Sequence, residues 1–316
     1  MHPDITTFCC SYPQNSVECL KLCGTTPVTP LPKDHIAIFT RPALASYLIN
    51  KEGTTSSGPQ ITGPSDRFIR SKSAIIANIP YMFGGIVKPR RIAYLDSCAF
   101  VELNVELNND YYDSHAALAY NAGSNALICF GNADNAYNYC SDFDGTTVRT
   151  RPSTTYSHRY GGLGFYGGTP ITVGSYYPDG NKKCEVFHGS GWTTLDNDHP
   201  SDVYGHSLVG LENGHVLLIG GVDNNGWHNT IWRMRGGQTG WESYGSIQEA
   251  VRGASTIILD KSIFVIGGSN RDYYPYQRVD LTEDGSFEKS ALLGYNHLNG
   301  WEPLLLIVDA NFCSAS

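Results

Sequence analysis

The stretch HSLVGLENGHVLLIGGVDNNGWHNTIWRMRGGQTGWESY, residues 206–244, decides the fold. Two short apolar runs, HSLVGL and HVLLIGG, flank a polar turn, and the second ends in Gly220-Gly221. A loop follows, then a third run, NTIWRM, and a fourth that carries Trp241. Runs this short, bounded by Gly and Asn, read as four strands joined by hairpins. A lone four-stranded sheet cannot bury both its faces, so this unit needs neighbours of its own kind.

The neighbours are present. The apolar run ending in glycine recurs as PYMFGG (80–85), ALICFGN (126–132), PITVGS (170–175), HVLLIGG (215–221) and SIFVIGG (262–268). The first glycines, Gly84, Gly131, Gly174, Gly220 and Gly267, are spaced 47, 43, 46 and 47 residues apart. A near-constant period of this size marks a repeat architecture. A β-sandwich alternates apolar and polar residues but does not repeat a strand-plus-glycine unit. Each copy is preceded by a short strand (SAIIANI, AALAY, GGLGFY, HSLVGL, STIIL) and followed by a third (RIAYL, YNYCSDF, CEVF, NTIWRM, QRVDL). An aromatic marks the fourth at Trp192, Trp241 and Phe287. Two orphans remain. EPLLLIVD (302–309) reads as a first strand alone, and HIAIFTRPALASYLINKEG (35–53) with PQITG (59–63) as the other three. Together they make a sixth blade, which closes the ring and removes open strand edges.

The unit at 206–244 resembles a kelch repeat, as do STIILDKSIFVIGGSN with YQRVDL and the unit running from PITVGS to GWTTLDNDHP. The resemblance covers residues 70 to about 300 and is weaker over 70–158. It implies an all-β fold: a six-bladed kelch-type β-propeller over 34–312, four antiparallel strands per blade, closed by one C-terminal and three N-terminal strands. Residues 1–30 then form a Cys-rich segment with a Pro-rich linker. The family hosts binding proteins and a few enzymes, so it specifies the fold better than the function.

Composition narrows the function. The 22 basic and 30 acidic residues give a net charge of −8, so no basic footprint for nucleic acid is expected. No apolar run reaches the ~20 residues that span a bilayer. Nine Cys are present, and Cys9, Cys10, Cys19 and Cys23 crowd together without the paired C-x-x-C spacing of a metal site. The expectation is disulfides: these four among themselves or with Cys313, and Cys129 with Cys140 across a hairpin, leaving one odd thiol. That in turn expects an extracellular or secretory setting with a signal sequence upstream of Met1; a cytoplasmic protein is the alternative.

Galactose oxidase, which shares this type of propeller, uses copper held by His and Tyr ligands, with one Tyr cross-linked to Cys. No adjacent His-His pair and no suitable Cys–Tyr placement is found here. The nearest match to a sialidase turn, SDFDGTTV (141–148), is out of register, and Asp144-Gly145 reads better as a hairpin turn. No phosphate-binding, HExxH or nucleophile-elbow motif is found. The expectation is a non-catalytic binding propeller without cofactor or metal. Its expected partner is another protein, through an acidic or aromatic segment, with a glycan as the alternative ligand. Aligned by the repeat, the positions just before each first strand are Arg70, Asp113, Arg159, Tyr204, Arg252 and Trp301, and tyrosines double up in the loops of the same face at Tyr111-Tyr112, Tyr176-Tyr177 and Tyr273-Tyr274. The candidate binding residues drawn from these loops are Arg70, Tyr112, Arg159, Tyr204, Arg252, Tyr274 and Trp301. Tyr, Trp and Arg are the residue types that anchor interfaces.

Overall fold

In the computed structural model of the chain, residues 33–40, 46–58, 61–63, 68–132, 136–269, 273–296 and 300–313 are described. Among them there are strands and no helices. Six four-stranded antiparallel sheets form the blades of a β-propeller. Blade 2 comprises β4 (Lys72–Ile76), β5 (Ile79–Phe83), β6 (Ile92–Asp96) and β7 (Ala99–Glu102). Blade 3 holds β8 (Ala116–Tyr120), β9 (Asn125–Gly131), β10 (Tyr139–Phe143) and β11 (Val148–Arg151). Blade 4 holds β12 (Gly162–Tyr166), β13 (Thr169–Val173), β14 (Cys184–Phe187) and β15 (Trp192–Thr194). Blade 5 holds β16 (Ser207–Gly210), β17 (Val216–Ile219), β20 (Thr230–Met234) and β21 (Trp241–Ser246). A small hairpin, β18 (Val222–Asp223) with β19 (Gly226–Trp227), fills its middle loop. Blade 6 holds β22 (Arg252–Leu259), β23 (Ser262–Ser269), β24 (Tyr274–Leu281) and β25 (Phe287–Asn296).

Blade 1 is built from both ends of the propeller. β26 (Leu304–Val308) pairs antiparallel with β1 (His35–Phe39), which pairs with β2 (Ser46–Asn50) and then β3 (Thr55–Ser57). The fourth strand therefore falls earlier than the PQITG segment expected from sequence. Thr62 of that segment instead forms an isolated parallel bridge to Ala99 of blade 2.

The core follows from strand periodicity. Successive side chains of a strand point to opposite faces, so each blade feeds two seams. In β1, Ala37 and Phe39 enter a cluster with Met82 and Phe100 of blade 2, while Ile36 and Ile38 enter one with Phe264 and Ile266 of blade 6. In β17, Val216 and Leu218 face blade 4, and Leu217 and Ile219 face blade 6. Two further clusters fill the seams between blades 2 and 3 and between blades 3 and 4. Every junction of the ring is thus an apolar seam, and stability comes from stacking sheets rather than from one central core.

The repeat register needs one correction. Strand pairing places Cys129 opposite Cys140, as Phe83 lies opposite Ile92 and Val173 opposite Cys184. Phe130, not Gly131, is therefore the counterpart of Gly84 and Gly174. A bulge in the β9–β10 pairing shifts the ladder there. Phe130 consequently holds the left-handed conformation (φ 70°) that blades 2, 4, 5 and 6 assign to glycine. Its ring is buried against His158, and this packing offsets the backbone cost.

Two disulfides occur among the described residues. Cys129–Cys140 bridges β9 and β10, as the hairpin register expects. Cys313 is joined to Cys98 in the β6–β7 turn, not to the N-terminal cysteines. That partner escaped sequence reasoning because 215 residues separate the two, and only ring closure brings them together. Cys184 is a buried free thiol. Cys9, Cys10, Cys19 and Cys23 lie outside the described residues.

Candidate functional site

A loop enters each blade just before its innermost strand, and these loops line the mouth of the central channel. A relay of backbone hydrogen bonds fixes them. Glu302 donates its amide to the Gly253 carbonyl (2.7 Å), Gly253 to Gly205 (2.8 Å), Gly205 to Tyr160 (2.7 Å) and Tyr160 to Ser114 (3.2 Å). Each bond crosses from one blade to the next. The relay donors Tyr160 (φ 58°), Gly205 (65°), Gly253 (70°) and Glu302 (47°) all lie in the left-handed region, and so does Arg70 (60°) in the turn that enters blade 2. Space demands glycine at Gly253, where an added Cβ would stand 2.8 Å from the Trp301 ring.

The middle loops of the blades pair with these turns. The amide of Ile86 donates to Ile69, that of Tyr176 to Arg159, and Val222 exchanges both backbone bonds with Tyr204. Arg159 and Tyr204 are thus equivalent positions, whereas Arg70 sits one residue later, level with Tyr160. The sequence alignment of these loops was one residue out at Arg70.

Side chains then close a belt around the mouth. Arg70 donates to Asp113 (2.9 Å), and the Tyr160 hydroxyl donates to the same carboxylate oxygen (2.6 Å). The Tyr160 and Tyr204 ring centroids are 6.5 Å apart. The Arg252 guanidinium lies 4.8 Å from the Tyr204 ring and 5.3 Å from that of Trp301. Trp301 lies 5.9 Å from the Arg70 guanidinium, which completes the circuit. These belt residues are partly exposed, neither sealed between blades nor fully in solvent.

Arg159 sits just outside the belt in a nest of phenols. Its guanidinium lies 4.7 Å from the Tyr137 ring and 5.2–5.4 Å from those of Tyr160, Tyr176 and Tyr177, and it donates to the Tyr177 hydroxyl (3.0 Å). The planar guanidinium is suited to stacking of this kind. Burial raises the Tyr160 phenol above its ordinary range; the Asp113 hydrogen bond and charge add to this, against the opposing charges of Arg159 and Arg70.

Below the belt the innermost strands enclose a cavity of about 350 Å³. Lys72 and Glu302 form an ion pair there (2.5 Å). His206 lines the same cavity, and burial pushes it down to about 3, so it stays neutral.

Of the residues singled out from sequence, Arg70, Arg159, Tyr204, Arg252 and Trp301 join this contact network. Tyr112 stands on the same rim but bonds Asp110, which is also paired with Arg90. Tyr274, at the mouth-side end of β24, packs over Gly300 and takes its place in the β24–β25 ladder. Asp113, Tyr176 and Tyr177 were noticed in the sequence but not carried into the candidate set, and Tyr137 and Tyr160 were not singled out. The Tyr176-Tyr177 doublet was the visible signal, and it lies in the loop that pairs with Arg159. Asp144, the residue of the sialidase-like segment, lies at the β10–β11 turn on the opposite face. Its carboxylate accepts the amides of Thr146 and Thr147, and these bonds hold it well below the usual carboxylate range.

Compared with known proteins, the chain matches no family model, and no curated protein matches it. Among the described residues no helix is long and apolar enough to cross a membrane.

Proposed function

We propose that this propeller is a non-catalytic, kelch-type binding module that holds a protein partner on the mouth of its ring. The observation that carries the reading is the continuous belt of Arg, Tyr, Trp and Asp drawn from successive blades and left partly exposed. A rigid ring of β-sheets presenting side chains from six loops is a typical setting for recognition. Large aromatic and guanidinium groups with few torsions to freeze bind at low entropic cost. The kelch-type assignment is supported by left-handed glycines ending the second strand of blades 2, 4, 5 and 6. Two disulfides support a setting in which thiols are oxidised.

The test is cross-linking and affinity capture from the native source with wild-type chain and the double variant Arg252→Ala, Trp301→Ala, beside a glycan array. The expected result is a protein partner held by the wild type and lost by the variant, with unchanged melting. Capture that persists in the folded variant, or binding confined to the glycan array, refutes the reading.

A further inference from the structure

We infer that the group seated on the mouth is a carboxylate side chain of an acidic peptide segment, received by Arg252 with support from Arg159. The inference rests on the mouth being the binding site and adds what that site recognises.

The first observation is a local excess of charge. Among the described residues of the belt and the top of the cavity, the cations are Arg70, Lys72, Arg159 and Arg252, and the carboxylates are Asp113 and Glu302. Arg70 and Lys72 consume both carboxylates. Arg159 and Arg252 have no carboxylate among the described residues. The chain as a whole carries −8, so this excess runs against its overall charge.

The second observation concerns hydrogen bonding. Arg159 donates to Tyr177, and its Nε is buried with no hydrogen-bond partner among the described residues. Arg252 is held only by the faces of Tyr160, Tyr204 and Trp301 among the described residues. Ring faces fix its plane and leave its N–H groups unspent. A guanidinium held flat in this way presents a preformed fork that matches a carboxylate. The aromatic groups are already engaged by the protein's own arginines, so a second cation gains little there.

The third observation selects a peptide over a sugar. Ile86, Val87, Tyr176 and Tyr273, all in the middle loops on this face, are each about half exposed. Aliphatic side chains such as Ile86 and Val87 gain from covering by other apolar side chains, not by hydroxyl-dense rings. The occupant is therefore an extended acidic segment with apolar residues beside its carboxylate.

The test uses the full chain and two labelled probes, hexaglutamate peptide and tetragalacturonate, with hexaglutamine as control, followed by fluorescence anisotropy. Hexaglutamate is expected to bind at least about tenfold more tightly than the other two, and to weaken as salt rises to about 0.3 M. Arg252→Gln is expected to cost about tenfold, and Arg252→Lys less. A footprint on the wild type guards against misfolded variants: bound hexaglutamate should slow phenylglyoxal modification of Arg252. Absence of hexaglutamate binding, tetragalacturonate binding as tightly, or an unprotected Arg252 overturns the inference. If hexaglutamate fails while a protein partner is still lost on mutating the mouth, the acidic specificity falls and the binding face stands.

Discussion

Arg70 and Asp113, from the turns that enter blades 2 and 3, are joined by a 2.9 Å hydrogen bond to a carboxylate oxygen that also accepts the Tyr160 hydroxyl. One oxygen thus ties together three successive blades at the mouth. Asp113→Asn should cost less than about 1 kcal/mol, because the Arg70 pair is partly exposed and screened. Its clearer effect is on Tyr160. Burial remains, but the anionic acceptor is gone, so the phenol should ionise at lower pH than in the wild type while staying above the ordinary tyrosine range. Ultraviolet difference titration, with Tyr160→Phe to identify the step, measures this.

Glu185 and His158 form a fully buried pair at 2.9 Å. The other His158 ring nitrogen, Nδ1, faces the Gly174 carbonyl, which can only accept, so that nitrogen donates. Glu185 also accepts the amides of Thr155 and Tyr156. Burial opposes its ionisation, yet the His158 and amide bonds outweigh it and lower its pKa. Glu185→Gln should cost about 1–3 kcal/mol, since it weakens the buried bonds to the His158 ring and to two backbone amides. The stabilisation from the lowered carboxylate is complete above its unfolded value near 4.5 and is lost as pH falls through the folded value. Urea midpoints measured from pH 6 down to about pH 3 should therefore fall more steeply for the wild type than for the variant.

Cys184 should resist alkylation in the native protein. It is buried, and burial pushes its thiol up to about 12. Iodoacetamide at about pH 8 should label it only after unfolding. Peptide mapping without reductant should recover the Cys98–Cys313 and Cys129–Cys140 links. Fast labelling of Cys184 in folded protein would contradict its placement.

Removing residues 302–316 takes away β26 and the Cys313 staple together. Blade 1 then loses its innermost strand, and two apolar seams lose Leu304, Leu305, Leu306 and Val308. The expected result is loss of a single cooperative thermal transition. A truncated chain that melts as the full chain does would show that the ring does not need this strand.

The strand count and the closing strand were legible because short apolar strands ending in glycine repeat at a nearly fixed interval. The register was less legible. Phe130 occupies a glycine position because a bulge absorbs one residue, and nothing local in CFGN announces it. Arg70 was misaligned by one because the turn before β4 has no glycine, unlike those at Gly205 and Gly253. The residue types of the mouth could be guessed from loop composition. Their order around it followed from the repeat, since Asp113 and Tyr160 lie one period of 47 residues apart, but which side chains of neighbouring turns bond to each other could not be read from it.

The shared first blade also governs how the protein is made. Within the propeller β1 is the first strand to be synthesised, but its neighbour β26 emerges about 270 residues later. At about 5–20 residues per second, that wait lasts tens of seconds. Through that interval one edge of β1 has backbone donors and acceptors with no strand to satisfy them, while blades 2 to 6 can already stack on one another. Closure of the propeller therefore waits for the docking of β26, which also brings Cys313 to Cys98. The appearance of that disulfide in pulse-labelled chains would serve as a clock for completion of the ring.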